Sequence, residues 1–234
     1  MGAIFRREIK SYFSSPVGYV CVAAIAAIYG FFYYQVMLAG SSAYVSSVYS
    51  SVYLFSMMII PVITMKSMAE DMKNKTDQAL LTAPVGVTSI VMGKFLAAFC
   101  VFIIASTVGL IPAAVLEFFA NPPWGIIFGN YIATLLYGGA MISIGVFISS
   151  LTVSQVIAAV ATFLVSIGLM YLDSFAANVQ NSVISSVIGF ISFTSKYDVF
   201  TSGIFSVSSC VFFVSVMAAF VFLTARRLES RRWN

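Results

Sequence analysis

The chain has 234 residues, of which 61% are apolar and only 9% carry a charge. Soluble domains carry roughly 25% charged residues, so this composition excludes a soluble globular domain. A mean hydropathy of +1.01 also excludes a disordered or collagen-like chain.

Four long uncharged stretches, at residues 11–65, 95–116, 118–172 and 199–225, predict membrane-spanning helices. A helix that crosses a bilayer needs about 20 apolar residues, so the first and third stretches each hold two helices and the others one. Runs of this length are too long for barrel strands. We therefore predict an all-α membrane protein, a single transmembrane domain over residues 1–234, with spans at residues 17–38, 52–65, 90–116, 126–148, 155–172 and 204–224.

The N-terminal segment, residues 1–16, precedes the first span and is predicted to be an amphipathic helix lying in the membrane interface. Charged and apolar residues alternate here at helical spacing. Arg6, Arg7 and Lys10 are expected to face lipid headgroups. The apolar side chains expected to face lipid are those of Ile4, Phe5, Ile9, Tyr12 and Phe13.

Basic residues set the predicted orientation of the spans. Eleven of the 12 Lys and Arg residues precede the first span, flank the loop between spans two and three, or follow the last span. Lys196 alone falls on the other side. Because cytoplasmic loops carry an excess of Lys and Arg, we expect both termini in the cytoplasm. Lys94 and Glu117, at opposite ends of span three, are expected to reach the two membrane surfaces.

The sequence lacks several kinds of catalytic motif. It contains no His, which excludes His-based catalytic triads and His metal sites. Its three Cys residues each fall singly within a predicted span and are expected to be packing residues. The Gly86 to Lys94 segment does not match a phosphate-binding loop, because the glycine spacing is wrong and Phe95 replaces Ser or Thr. We therefore expect that the chain is not an enzyme and holds no cofactor or metal.

The long loop at residues 67–84 is the most informative segment. Thr76 is placed to cap a short helix, with Asp77 in its first turn. Leu80 and Leu81 then form a small apolar knob, and Pro84 ends the helix. Such a helix suits docking into a groove of another protein. The residues alone equally allow a tight helical hairpin that packs its leucines under the bundle.

The same loop resembles the signature of ABC type-2 transporter permeases. The resemblance rests on Glu70, Thr76, the Leu80–Val85 run and Gly93-Lys94-Phe95, and it extends over the whole chain to the basic interfacial helix and six spans. The most similar members are single-domain permeases of the gliding-motility type. The chain departs from the pattern at Lys75, where Gly is usual, and at Gln78, where Glu is usual, so the resemblance does not imply a salt bridge from position 78 to a partner.

The resemblance implies a permease that pairs with a second permease copy or a homologue and binds cytoplasmic ATPase subunits, which hold ATP and Mg. It implies a bacterial plasma membrane and allows an extracytoplasmic accessory subunit. No nucleic-acid partner is expected, because the basic residues follow the membrane topology and do not form an exposed basic face. By the same analogy, the external stretch 173–203 would hold short re-entrant helices, with Asn178, Gln180 and Asn181 at their apex; an interfacial loop is the alternative. The implied ATPase-docking residues of the coupling helix are Glu70, Thr76, Asp77, Gln78, Leu80, Leu81 and Pro84.

Three functions are compatible with this pattern. The leading hypothesis is ATP-driven transport, in the export direction. A second is a non-transporting scaffold or sensor subunit of an ATPase complex. A third is a channel or secondary carrier, which the shortage of charged residues within the spans disfavours.

Overall fold

The computed structural model describes residues 1–40, 44–82, 85–118, 121–178, 189 and 191–233, without the side chains of residues 79, 81, 173–178, 232 and 233. Within these ranges the chain forms eleven α-helices and no strand. In chain order they are α1 (Gly2–Ser14), α2 (Pro16–Ala39), α3 (Val45–Thr64), α4 (Ala69–Lys73), α5 (Thr76–Thr82), α6 (Val87–Val108), α7 (Leu110–Leu116), α8 (Trp124–Ser149), α9 (Gln155–Asn178), α10 (Phe193–Thr201) and α11 (Val207–Trp233).

Six helical stretches are long and apolar enough to cross a membrane, which confirms the predicted number. They are Pro16–Ala39, Val45–Lys73, Val87–Leu116, Trp124–Ser149, Gln155–Leu172 and Val207–Arg231. Ion pairs join α1 to α4 and α5 to the end of α11. The N-terminal helix, the α4–α5 loop and the end of α11 therefore share one end of the bundle, called here the terminal end.

Proline and glycine set several helix boundaries. Pro16 begins α2 directly after Ser15, whose extended backbone separates α1 from α2. Helix α2 ends at Ala39 and is capped by Gly40, which adopts a left-handed conformation with φ of +63°. Pro122 and Pro123 precede α8, which begins at Trp124. These residues thus mark both ends of α2 and the start of α8.

Helix α8 lies at the centre of the bundle and packs against α3, α6, α9 and α11. Glycines allow two of these close approaches. A Cβ atom at Gly138 would clash with the ring of Phe102 in α6, and one at Gly145 would clash with Thr64 of α3. Small residues at helix contacts are the usual means of close packing in membranes. Span four is accordingly the most buried of the six.

Helix α1 confirms the predicted N-terminal helix but differs from the expectation in what its apolar face contacts. Ile4 and Tyr12 are buried in the protein core, and Phe5, Ile9 and Phe13 are partly buried against it. The expectation that Ile4 and Tyr12 face lipid is therefore wrong. The Tyr12 hydroxyl donates a 2.7 Å hydrogen bond to the Ile63 carbonyl of α3, which ties the helix to the bundle. Arg6 and Lys10 are exposed, as expected.

The stretch before the last span is helical in the parts that the structure describes. Residues 175–177 extend α9 to Asn178 instead of forming a separate short helix. A separate short helix, α10, lies at Phe193–Thr201, which agrees with the expectation of short helices before the last span. Gln180, Asn181, residues 182–188 and residue 190 lie outside the described residues.

Candidate functional site

Lys94 is the centre of a charged cluster at the terminal end, formed by Arg7, Glu8, Asp71 and Lys94. The Lys94 side chain is only 2% exposed, and its Nζ atom lies 2.6 Å from Asp71 Oδ2 and 3.1 Å from Glu8 Oε1. It also donates to the Ser67 carbonyl. An ammonium group has three donors, and here all three have acceptors. The expectation that Lys94 reaches the membrane surface is wrong, because the side chain turns into the protein.

Helix α1 contributes one cation and one anion to the charged cluster. Arg7 Nη2 lies 2.6 Å from Glu8 Oε1 and 3.3 Å from Asp71 Oδ2. Glu8 is buried, whereas the Arg7 side chain is 47% exposed. Partial burial acts to lower the pKa of Arg7, but the carboxylates of Glu8 and Asp71 outweigh it and raise that pKa. Arg7 was expected to face headgroups, and the structure also gives it a protein partner.

Asp71 connects the charged cluster to α5. Its Oδ1 atom accepts a 2.6 Å hydrogen bond from the Thr76 hydroxyl, while Oδ2 faces Lys94 and Arg7. The expected capping role of Thr76 is therefore wrong in detail, because the hydroxyl bonds back toward α4. Glu70, on the same short helix, lies 3.9 Å from Lys66. Both oxygens of Asp71 have partners, so the carboxylate joins three helices.

A hydroxyl of α8 holds the start of the loop. Ser149 Oγ accepts hydrogen bonds from the backbone amides of Met68 and Ala69, at 3.1 and 3.0 Å. It donates to the Met65 carbonyl at 3.2 Å. These bonds satisfy backbone groups where α3 ends. The loop is thus fixed to span four as well as to spans two and three.

Helix α5 packs one face against the bundle. Leu80 is half-buried against the core, and Asp77 Oδ2 lies 4.0 Å from Arg231 Nη1 at the end of α11. For Leu80 the structure therefore supports packing under the bundle over an exposed knob. Gln78 is exposed. The Leu81 side chain and Pro84 lie outside the described residues.

The exposed side chains of the loop are polar, among those that the structure describes. They are the side chains of Lys73, Asn74, Lys75, Thr76, Gln78 and Thr82. Lys75 adopts a left-handed backbone conformation with φ of +57°, which glycine accepts more readily than other residues. The turn between α4 and α5 therefore requires, at Lys75, a backbone conformation that favours glycine, which is the residue that the resemblance leads us to expect at this position.

A tyrosine cluster at the opposite end of the bundle anchors α10. The Tyr197 hydroxyl donates to the Tyr49 carbonyl at 3.1 Å and lies 3.0 Å from Thr134 Oγ1. Tyr53 Oη lies 3.1 Å from Thr194 Oγ1, and its ring stacks on that of Tyr197 with centroids 4.6 Å apart. Helix α10 is therefore attached to spans two and four by buried hydrogen bonds.

The charged cluster at the terminal end links separate parts of the chain. The charged cluster combines two cations with two anions, and it joins α1, the loop and span three. Within the described residues, no group of three or more His, Cys, Asp or Glu side chains is placed to hold a metal ion. A neutral, largely buried network of this kind resists rearrangement, because separating one partner leaves an uncompensated charge.

Sequence reasoning identified Arg7 and Thr76 but missed the cluster that joins them to Glu8, Asp71 and Lys94. Charged residues are so scarce in this chain that each one near a span end was a candidate for pairing. Glu8 and Lys94 are 86 positions apart, and only the packing of α1 on α6 brings them together. Gly93 is the sequence feature that permits this packing, because a Cβ atom at that position would lie 3.0 Å from Ile4 Cγ2.

Comparison with protein families identifies one that covers nearly the whole chain. The family model described as ABC-2 family transporter protein matches residues 3–230, which is nearly the whole chain. No curated protein matches the chain. The match supports the resemblance at the level of the family, and the narrower likeness to gliding-motility permeases stays a prediction.

Proposed function

This chain belongs to the ABC-2 family of transporter proteins, and from that premise we propose that it is the permease subunit of an ATP-driven exporter. Separate ATPase subunits on the cytoplasmic side would bind ATP and Mg and supply the energy. A second permease, identical or homologous, would complete the pathway. The six spans make the chain a multi-pass membrane protein, and we place it in a bacterial plasma membrane with both termini in the cytoplasm.

One observation carries this proposal: the loop that would receive the ATPase is joined by Asp71 to α1 and to span three. Ion pairs to Arg7 and Lys94 connect it on one side, and Asp77 connects it to span six. A force applied to α5 is therefore transmitted to three separate parts of the bundle. An ATP-driven change in the partner moves the permease only if the partner prefers one state of it, and these ion pairs couple the position of the loop that the partner would contact to the positions of the spans.

The docking surface we propose is the outward face of α5 with the preceding turn. Gln78 and Lys75 are exposed on it, and Leu81 is included as a predicted contact. The half-buried Leu80 acts from beneath by holding α5 against the bundle. Because position 78 is neutral, we expect hydrogen bonds and apolar contacts to the ATPase rather than a salt bridge there.

Mild-detergent purification from native membranes tests the docking surface. We expect an ATPase with a phosphate-binding loop to co-purify with the wild-type chain and to be lost from the Gln78→Arg and Leu81→Asp variants. Ser202→Arg is the matched control, because Ser202 is exposed at the opposite end of the bundle. Equal recovery of the ATPase with all three variants would contradict the assignment of this loop.

Flux measurements test the direction and separate transport from scaffolding. Vesicles containing the permease and its ATPase are expected to move cargo from the ATPase side to the other side only when ATP is present. If the permease stimulates ATP hydrolysis by the co-purified ATPase but no cargo crosses the vesicle membrane, the result would favour a scaffold or sensor subunit. Flux without an ATPase would favour a channel or carrier.

A further inference from the structure

An open apolar groove runs between α6 and α11. Its volume is about 460 Å³, within the range of roughly 300–1,000 Å³ that is typical of small-molecule sites. Thr88 supplies the one polar side chain of its lining. The lining residues are Thr88, Met92 and Phe95 of α6 and Val214, Met217, Ala218, Val221, Phe222 and Ala225 of α11.

The floor of the groove is closed by protein, and its other side is open. A Cβ atom at Gly139 of α8 would lie 2.8 Å from Met217 Sδ, so Met217 reaches across to span four. On the open side, Val214 and Phe222 are more than half exposed. The groove is thus a trough on the outer surface of the bundle and not a channel through it.

The length and position of the groove match one leaflet of a bilayer. Its lining on α11 runs from Val214 to Ala225, which at 1.5 Å per residue is about 16 Å, or half of a hydrocarbon core roughly 30 Å thick. Thr88 lies in the first turn of α6, and Ala225 directly precedes Arg226. The groove therefore extends from the terminal end of the bundle to about the bilayer midplane.

The mouth of the groove carries one cation and one anion. The Arg226 guanidinium lies 5.2 Å above the centre of the Phe222 ring, and Arg226 Nη1 lies 3.2 Å from Glu229 Oε2. Arg226 follows the lining residue Phe222 by four positions, and Glu229 follows the lining residue Ala225 by four. Both therefore lie on the helix face that lines the groove. Both side chains are about half exposed or more, at 66% and 49%, and are accessible to a ligand.

We propose that this groove binds a glycerophospholipid of the leaflet at the terminal end, with a headgroup that carries both a phosphate and a primary ammonium. One acyl chain lies in the apolar trough. The Arg226 guanidinium donates to the phosphate, and Glu229 accepts from the ammonium. The Thr88 hydroxyl donates to a phosphate or ester oxygen. A purely anionic headgroup would instead place negative charge beside Glu229.

Native mass spectrometry of the purified chain, which requires no ATPase partner, tests this site. Delipidated protein is titrated with phosphatidylethanolamine, phosphatidylglycerol or phosphatidylcholine. We expect phosphatidylethanolamine to bind the wild type most tightly, and Ala218→Trp, which fills the trough, to weaken it about tenfold. Leu223→Trp is the matched control, because Leu223 is exposed on the same helix but does not line the groove.

Two surface variants keep the test independent of folding. Arg226→Gln is expected to weaken binding of both phosphatidylethanolamine and phosphatidylglycerol about threefold, the size of one exposed ion pair. Glu229→Gln is expected to weaken only phosphatidylethanolamine and so to remove its preference. Equal lipid binding by wild type and Ala218→Trp would overturn the proposal. An unchanged headgroup preference in Glu229→Gln would also overturn the proposal. Loss of a dimer of this chain in Ala218→Trp without loss of lipid binding would overturn it too, and would assign the groove to contact with a second copy.

Discussion

Lys94 Nζ lies 2.6 Å from Asp71 Oδ2, and this contact connects span three to the loop beneath the bundle. Lys94 is the buried member of the pair, at 2% exposure against 16% for Asp71. A buried ammonium is stable only when anions and carbonyl groups satisfy it. The geometry of this end of the protein therefore depends on three chain segments arriving together.

Replacing Lys94 by Met is expected to lower the free energy of unfolding by about 3–5 kcal/mol, because Asp71 and Glu8 lose their common cation. Thermal unfolding in a fixed detergent measures the change. Adding Asp71→Asn to the Lys94→Met variant is expected to lower the free energy of unfolding by less than Asp71→Asn lowers it in the wild type, since the two side chains are coupled.

Lys66→Met is the control for the Lys94 experiment. Lys66 lies 3.9 Å from Glu70 and donates to Ser15 Oγ at 3.1 Å; it is 16% exposed against 2% for Lys94, so its loss is expected to lower the free energy of unfolding by less than the loss of Lys94 does. Equal effects of the two variants would show that the charged cluster contributes no more than one long, partly exposed ion pair.

The number of spans could be predicted from the sequence because long uncharged stretches have few structural solutions in lipid. The contacts of α1 could not. Its alternation of charged and apolar residues is the same for a helix facing lipid and for one packed on protein, and only the position of Ile4 against Gly93 distinguishes them. Likewise, Leu80 is apolar whether it meets a partner or the bundle, and local sequence does not determine which surface covers it.

Gly93→Val is expected to loosen α1 from span three. A Cβ atom at this position would lie 3.0 Å from Ile4 Cγ2 and 3.4 Å from the Phe5 backbone nitrogen, so the added side chain displaces α1 and with it Glu8. Overpacking of this kind costs about 1–3 kcal/mol. Hydrogen exchange of α1 amides measures the loosening.

Gly30→Val provides the comparison for Gly93→Val. No atom lies within 4 Å of a Cβ built at Gly30, so α1 exchange is expected to stay at the wild-type rate. If Gly93→Val also leaves α1 protected, the close packing of α1 on span three is not what holds the helix.

Tyr197→Phe is expected to release α10 from the bundle. The change removes the hydroxyl that donates to the Tyr49 carbonyl and contacts Thr134. Thr134 keeps its hydrogen bond to the Asn130 carbonyl and Tyr49 lies within α3, so the loss is expected to cost about 0.5–1.5 kcal/mol, the net value of a hydrogen bond. Faster hydrogen exchange confined to α10 is the expected result. Tyr171→Phe, at an exposed tyrosine of α9, should leave exchange unchanged; equal rates in both variants would show that these hydrogen bonds do not anchor α10.

Lys75→Gly is expected to stabilise the protein. The residue holds φ of +57°, and the left-handed conformation costs a residue with a Cβ about 1–2 kcal/mol. Glycine removes that cost but has more conformational freedom in the unfolded chain, which returns part of the gain. We therefore expect a net increase in the free energy of unfolding of about 0.5–1 kcal/mol, measured by thermal unfolding.

Lys73→Gly is the matched control for this last change, because Lys73 is an exposed lysine two positions earlier but lies in the helix α4. Glycine in a helix is destabilising by about 0.5–1 kcal/mol, so the two substitutions are expected to act in opposite directions. A loss of stability in both variants would show that the Lys75 side chain contributes more to the loop than its backbone conformation costs. Whether Lys75→Gly raises or lowers the free energy of unfolding therefore shows which is larger: the cost of the left-handed backbone at residue 75 or the stabilisation that the Lys75 side chain gives to the turn between α4 and α5.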